Sequence, residues 1–106
     1  MASMWYVIYV TIRREYNVAL LVNGVKITKV LIDSHYEKKH AESINDDIIL
    51  GLVMQLNGKD FEADQSKLPF QYFVTDRIKY SGKFYKLIWL MEEHEIYIGV
   101  INAYRR

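Results

Sequence analysis

The chain of 106 residues has no cysteine. That excludes disulfide stapling, thiolate metal sites and a cysteine nucleophile. It has one proline and five glycines, too few for a collagenous, linker-like or low-complexity chain. No apolar run is long enough to cross a bilayer, and no secretory leader is legible at the N-terminus. A cytoplasmic protein is the expectation. There is no Gly-rich phosphate loop, no G-x-S-x-G elbow and no H-E-x-x-H, so no nucleotide cofactor or zinc-protease chemistry is expected.

What the chain does have is apolar and aromatic content. Fifty-one per cent of its residues are hydrophobic and 14% aromatic, including nine tyrosines. This is enough for one core and argues against disorder. The β-branched and aromatic bias favours a sheet. The net charge of +1 hides an asymmetry: residues 1–34 and 67–106 are net basic, and residues 35–66 net acidic. A basic surface assembled from the two ends suits a polyanion. The plainer alternative is a mixed, solvated surface.

Periodicity organises the chain as a single domain over residues 1–106. Trp5 to Ile12 reads as a strand. Val18 to Val22 and Val25 to Leu31 flank Asn23-Gly24, the strongest short hairpin signal, because a type I′ turn needs positive φ at both central positions. Val18, Leu20 and Val22 are expected to share a face with Val25, Ile27 and Leu31. These elements make an N-terminal unit, 5–32. The helical segment, 33–58, holds a short helix capped by Asp33 or Ser34 and a second capped by Ser43 or Asn45. The second carries Asp46 and Asp47 in its first turn and a core stripe of Ile48, Ile49, Leu52, Val53 and Leu56, with Gly58 as a left-handed stop. Residues 59–69 read as a loop. A three-stranded antiparallel meander, 70–105, follows, turning at Ser81-Gly82 and at Glu92 to Glu95. The expected class is α+β: a mostly antiparallel sheet in the order βββ-α(α)-βββ, with helices on one face.

Candidate chemistry concentrates in Ser34-His35-Tyr36-Glu37-Lys38-Lys39-His40, which holds two of the three histidines and two lysines. Imidazole titrates near neutrality and works as an acid or a base. Lysine suits phosphate. His35 meets Lys38 and Lys39 at i+3 and i+4. His35 and His40 stand about 140° apart on a straight helix, so both address one small target only if the helix bends or ends between them. Metal ligation would favour i,i+4 spacing and a further ligand cluster, so no metal is expected. Cleavage of RNA by its own 2′-hydroxyl needs a base, an acid and cations at the phosphate, all of which this segment supplies. The alternative is an ordinary exposed polar turn.

Two further stretches bear on the same reading. In the last strand, strict alternation puts Ile98, Val100, Asn102 and Tyr104 on one face and Ile101, Ala103 and Arg105 on the other. Asn102, Tyr104 and Arg105 then border a groove, or form a polar strand end. Around Ser81-Gly82, Arg77, Lys79, Lys83, Tyr85 and Lys86 mix cations with tyrosines, as RNA-binding surfaces do. If Tyr80 pairs with Lys83, Arg77 falls opposite Lys86. His94 sits among Glu92, Glu93 and Glu95 and is set aside.

The Lys39-His40 pair, the amphipathic helix after it, and the meander ending Ile98-Gly99-Val100-Ile101-Asn102-Ala103-Tyr104-Arg105 resemble small bacterial toxins of the BrnT and RelE-like kind. These belong to a wider group of metal-independent ribonucleases that includes colicin-type and contact-dependent toxin domains. The chain departs from them in its N-terminal strands and its lower net charge. The resemblance covers roughly 33–106. It implies a hydrolase of a toxin–antitoxin system that cuts mRNA or tRNA. By the resemblance Lys39 and His40 match the basic helix, and Tyr104 and Arg105 the final-strand ending; together with the reading of the residues above, His35, His40 and Tyr104 are expected to be catalytic, and Lys38, Lys39, Arg77, Tyr85, Asn102 and Arg105 to bind RNA. The implied partners are RNA and a cognate antitoxin or immunity protein, with a homodimer compatible and no membrane. The competing readings are a non-catalytic protein- or nucleic-acid-binding module and an immunity-type partner whose acidic middle covers a basic toxin.

Overall fold

The computed structural model describes residues 13–106. The expected strand Trp5 to Ile12 lies outside them. The elements are β1 (Arg13–Val22), β2 (Val25–Asp33), a 3-10 turn (Ser34–Tyr36), α1 (Glu37–His40), α2 (Asp46–Met54), β3 (Gln65–Lys67), β4 (Phe70–Tyr80), β5 (Lys83–Glu92) and β6 (Tyr97–Arg105). The class is α+β, as expected, and the element order is not. A short β3 occupies part of the expected loop and pairs with β4 through Gln65↔Tyr72, Ser66↔Gln71 and Lys67↔Phe70.

The six strands form one sheet in the order β1-β2-β6-β5-β4-β3. Its β2–β6 pair is parallel, Lys29↔Tyr97 through Ile32↔Val100, so the sheet is mixed. The chain leaves β2, crosses through the helices to the far edge and meanders back to lie beside β2. No local signal encodes that final pairing. The hairpins do follow their turn residues: Asn23 and Gly24 take φ of 51° and 74°, and Ser81 and Gly82 take 53° and 78°, the left-handed pair a type I′ turn requires.

The main core lies between one sheet face and the helical segment. Trp89, Phe73, Ile32, Leu87 and Ile98 from the sheet meet Ile49, Leu52, Val53 and Leu56, all almost fully buried. α2 starts on the Asn45 cap, whose Oδ1 accepts from Ile48 N at 2.9 Å. It ends at Met54, short of Gly58. Trp89 stacks on Phe73 at 4.2 Å and donates its indole N–H to Thr75 Oγ1 at 2.9 Å. A second cluster on the reverse face centres on Phe70 and Leu90, with Leu31, Tyr72, Tyr97 and Ile101 against it. No helix among the described residues is long and apolar enough to cross a membrane.

Three bulges decide which side chains face where. Asn17 pairs with Lys29 and Leu20 with Ile27, so β1 carries one extra residue. Past this point Val30 and Ile32 enter the main core, and Leu31 packs on the reverse face rather than beside Ile27. In β4, Thr75 pairs with Leu87 and Ile78 with Tyr85, so Asp76 and Arg77 share the bulge. Arg77 takes φ 54° there and does not pair with Lys86 as strict alternation expects. In β6, Trp89 pairs with Val100 and Ile88 with Asn102. The extra residue moves Ala103 into the core and turns Asn102 and Tyr104 away from the face of Ile98 and Val100.

Candidate functional site

The turn that carries the histidines is held from beneath. Asp33 caps it, Oδ1 accepting from His35 N at 2.8 Å. Tyr36 buries its ring in the main core and donates its hydroxyl to Asp46 Oδ1 at 2.7 Å. Arg14 on β1 grips Asp46 with two nitrogens, Nε at 2.5 Å and Nη2 at 2.9 Å, and reaches Glu37 Oε1 with Nη2 at 3.0 Å. Tyr16 donates to Asp46 Oδ2 at 2.5 Å. One carboxylate thus ties β1, the 3-10 turn and the start of α2 together. His40 O closes α1, accepting from Ser43 N at 3.0 Å and Ile44 N at 2.9 Å.

The electrostatics of this hub follow from the geometry. Burial pushes the Asp46 carboxyl up, but the bonds from Arg14, Tyr16 and Tyr36 outweigh it and hold it below the usual carboxylate range. The Asp46 carboxylate raises the Arg14 guanidinium and the Tyr16 phenol. Burial, then the bond to Asp46, raises Tyr36. Arg14 thus pairs with two acidic side chains, the half-buried Asp46 and the exposed Glu37.

The outward side forms a basin of about 120 Å³ lined by His35, Lys38, Lys39, His40 and Asn102. No carboxylate is among these described lining residues. β2 has ended here, so the 3-10 turn takes its place beside the last residues of β6. Both histidines line the basin because they belong to different helical types: His35 to the 3-10 turn and His40 to α1. The straight-helix separation does not apply across that change. The His40 ring stacks on Tyr104, centroids 5.3 Å apart and planes 26° from parallel. Lys86 Nζ lies 5.7 Å from the Tyr104 ring centre. A row of Lys86, Tyr104 and His40 therefore borders the basin.

Five sequence-nominated residues meet in the basin, with Tyr104 at its edge, and three stand apart. Tyr85 is buried in the main core, opposite Arg105, and has no face free to stack a base. Arg77 lines a different cavity of about 210 Å³, with Gln55, Lys59 and Phe61. Arg105 is one residue out of phase with Tyr104, while Arg106 pairs with Asp76 at 3.0 Å. His94 lies 3.4 Å from Glu93 on an exposed turn.

Lys86 was legible only as part of a basic hairpin, and its place beside Tyr104 comes from the Lys86↔Tyr104 register. The Asp46 hub had no sequence signal, since Arg14 and Tyr16 are about thirty residues from Asp46. Chemically, the basin offers ammonium groups for an anion, two imidazoles for proton transfer and a stacked ring pair. Among the described residues, no three His, Asp or Glu side chains are arranged to hold a metal ion. Compared with known proteins, the chain matches no family model, no curated protein and no solved structure.

Proposed function

We propose that the basin binds a phosphate of RNA and that the chain is a metal-independent endoribonuclease of the toxin type, acting in the cytoplasm. The observation that carries this reading is the convergence of two imidazoles and two ammonium groups, with Asn102, around one small cavity. One imidazole takes the 2′-hydroxyl proton as that oxygen attacks phosphorus. The other, protonated, gives its proton to the leaving 5′-oxygen. The products are a 2′,3′-cyclic phosphate and a free 5′-hydroxyl. Lys38 and Lys39 offset the charge that builds on the phosphate. The row of Lys86, Tyr104 and His40 presents an aromatic surface for a neighbouring base. A protein that inhibits such an enzyme would cover this basin.

The test is cleavage of total cellular RNA and tRNA by the purified chain in EDTA, with His35→Ala, His40→Ala and Lys38→Ala/Lys39→Ala beside wild type. The reading expects cleavage by wild type and its loss in both histidine variants. Equal cleavage in all variants would remove the histidine mechanism. Saturable RNA binding without turnover would instead establish the second reading, a non-catalytic nucleic-acid-binding module, which the half-buried His40–Tyr104 stack also supports.

A further inference from the structure

A cavity of about 560 Å³ lies far from the basin. Ile96 borders it at the start of β6, and Asn102 borders the basin near the other end. Six residues of strand, about 20 Å at roughly 3.3 Å each, separate the two.

The cavity is apolar, walled by Val25, Leu68, Pro69, Met91 and Ile96. Two of these are unusually open for their type: Leu68 is 75% exposed and Ile96 50%. Apolar side chains so placed continue the cavity onto the surface. The walls are tied to one another. Glu93 N donates to Pro69 O at 2.7 Å, joining the β3–β4 and β5–β6 turns. Thr28 N donates to Ile96 O at 2.9 Å, and Glu95 N to Glu92 O at 3.1 Å. The site is therefore preformed, which lowers the ordering cost of binding.

Its charge is mainly acidic. Glu92, Glu93 and Glu95 stand at the cavity with His94, which lies 3.4 Å from Glu93, and there is no lysine or arginine among the described lining residues. The Glu92 carboxylate is held in place by the Tyr97 hydroxyl at 2.5 Å. The molecule is thus bipolar along β6: an acidic, apolar cavity at one end and a basic basin at the other.

We propose that this cavity is a docking site for a partner polypeptide segment that sets apolar side chains beside arginine or lysine. The apolar groups enter between Leu68, Met91 and Ile96, and the cations meet Glu93 and Glu95. Occupancy leaves the basin open, so this partner is not one that covers the basin. The inference does not depend on the ribonuclease reading. A second copy bound head to tail, basic end to acidic end, would propagate as an open filament rather than close, which disfavours self-docking.

The probe is a fluorescein-labelled peptide with two leucines flanked by four arginines on a glycine–serine background. Two matched peptides replace the leucines by serine or the arginines by glutamate. Each is titrated into the full-length, ¹⁵N-labelled chain. The proposal expects amide shifts at Gln71, Glu93 and Ile96. It expects both matched peptides, and the Leu68→Ser and Glu93→Gln/Glu95→Gln variants, to bind about tenfold or more weakly, as for loss of an anchor worth 1.4 kcal/mol or more. Leu68 is too exposed for its replacement to threaten folding. Shifts that map elsewhere, or matched peptides that bind as tightly, overturn it. So does concentration-dependent self-association that Leu68→Ser abolishes, which would give the cavity to a second copy.

Discussion

His40 and Tyr104 are 64 positions apart and lie ring on ring, 5.3 Å between centroids. The contact joins the last residue of α1 to the end of β6, and so fixes one imidazole at the rim of the basin. If His40 transfers a proton, His40→Ala lowers RNA cleavage by about 10²- to 10⁴-fold, the usual worth of a general acid or base. Tyr104→Phe keeps the stack and stays within a few-fold of wild type, whereas Tyr104→Ala raises KM for RNA more than it lowers kcat. Initial-rate kinetics on a short labelled RNA separates these outcomes. A tyrosine hydroxyl essential to turnover would contradict the positioning role.

Asp46 accepts from Arg14, Tyr16 and Tyr36 in a half-buried site, and asparagine would keep one acceptor oxygen but lose the charge and turn an NH2 toward the remaining donors. Asp46→Asn should cost about 2–4 kcal/mol, because bonds to charged groups are worth more than neutral ones and stranded donors add their desolvation. The exposed neighbour provides the control: Asp47→Asn should stay within about 0.5 kcal/mol. Urea denaturation of the two variants makes the comparison.

The same hub sets a pH dependence. The folded-state pKa of Asp46 is depressed. Its contribution is therefore fully present above the unfolded value, about 3.9, and is lost as pH falls through the lower folded value. Tyr16 and Tyr36 are raised, so their contribution is fully present below about pH 10 and is lost as pH rises through their higher folded values. Urea midpoints measured from pH 2 to 11 should fall at both ends, and Asp46→Asn should flatten both falls. An unchanged profile in that variant would place the titrating groups elsewhere.

Gly51 sits mid-helix, where glycine ordinarily costs about 1 kcal/mol relative to alanine. The structure gives its reason: a Cβ here would lie 2.5 Å from Tyr80 Cζ and 2.9 Å from its hydroxyl. α2 approaches β4 this closely, and Gln55 Nε2 donates to Lys79 O at 2.7 Å beside the contact. Gly51→Ala should destabilise wild type by about 1 kcal/mol or more as Tyr80 is displaced. In a Tyr80→Ser background the sign should reverse, leaving the gain in helix propensity. A thermal-melt double-mutant cycle tests the reversal.

A bipolar chain of this kind also bears on salt. If RNA binds through Lys38, Lys39 and Lys86, its affinity should fall steeply between about 50 and 200 mM salt, with a log–log slope near −0.7 per phosphate contact. Lys38→Ala/Lys39→Ala should flatten that slope by about 1 to 2. Filter binding across the salt series measures it, and a slope indifferent to the lysines would place the RNA elsewhere.

Local chemistry determined much of this protein from the sequence by itself. Asn23-Gly24 and Ser81-Gly82 made their turns because two successive left-handed residues suit a tight hairpin. Asn45 capped α2 and the Ile49, Leu52, Val53 and Leu56 stripe went to the core, because a 3.6-residue period has only one apolar face. The basic segment also proved to line one cavity. Tertiary structure alone decided the rest, for a common reason. The parallel β2–β6 pair, the Arg14–Asp46 hub and the His40–Tyr104 stack each join residues tens of positions apart, where no periodicity reaches. The bulges in β1, β4 and β6 each add a single residue. In β4 and β6 that one residue shifts a period-two pattern by half a cycle, so Arg77 and Asn102 depart from the pairing or face that strict alternation assigns them, while Leu31 departs in β2, which changes face opposite the β1 bulge.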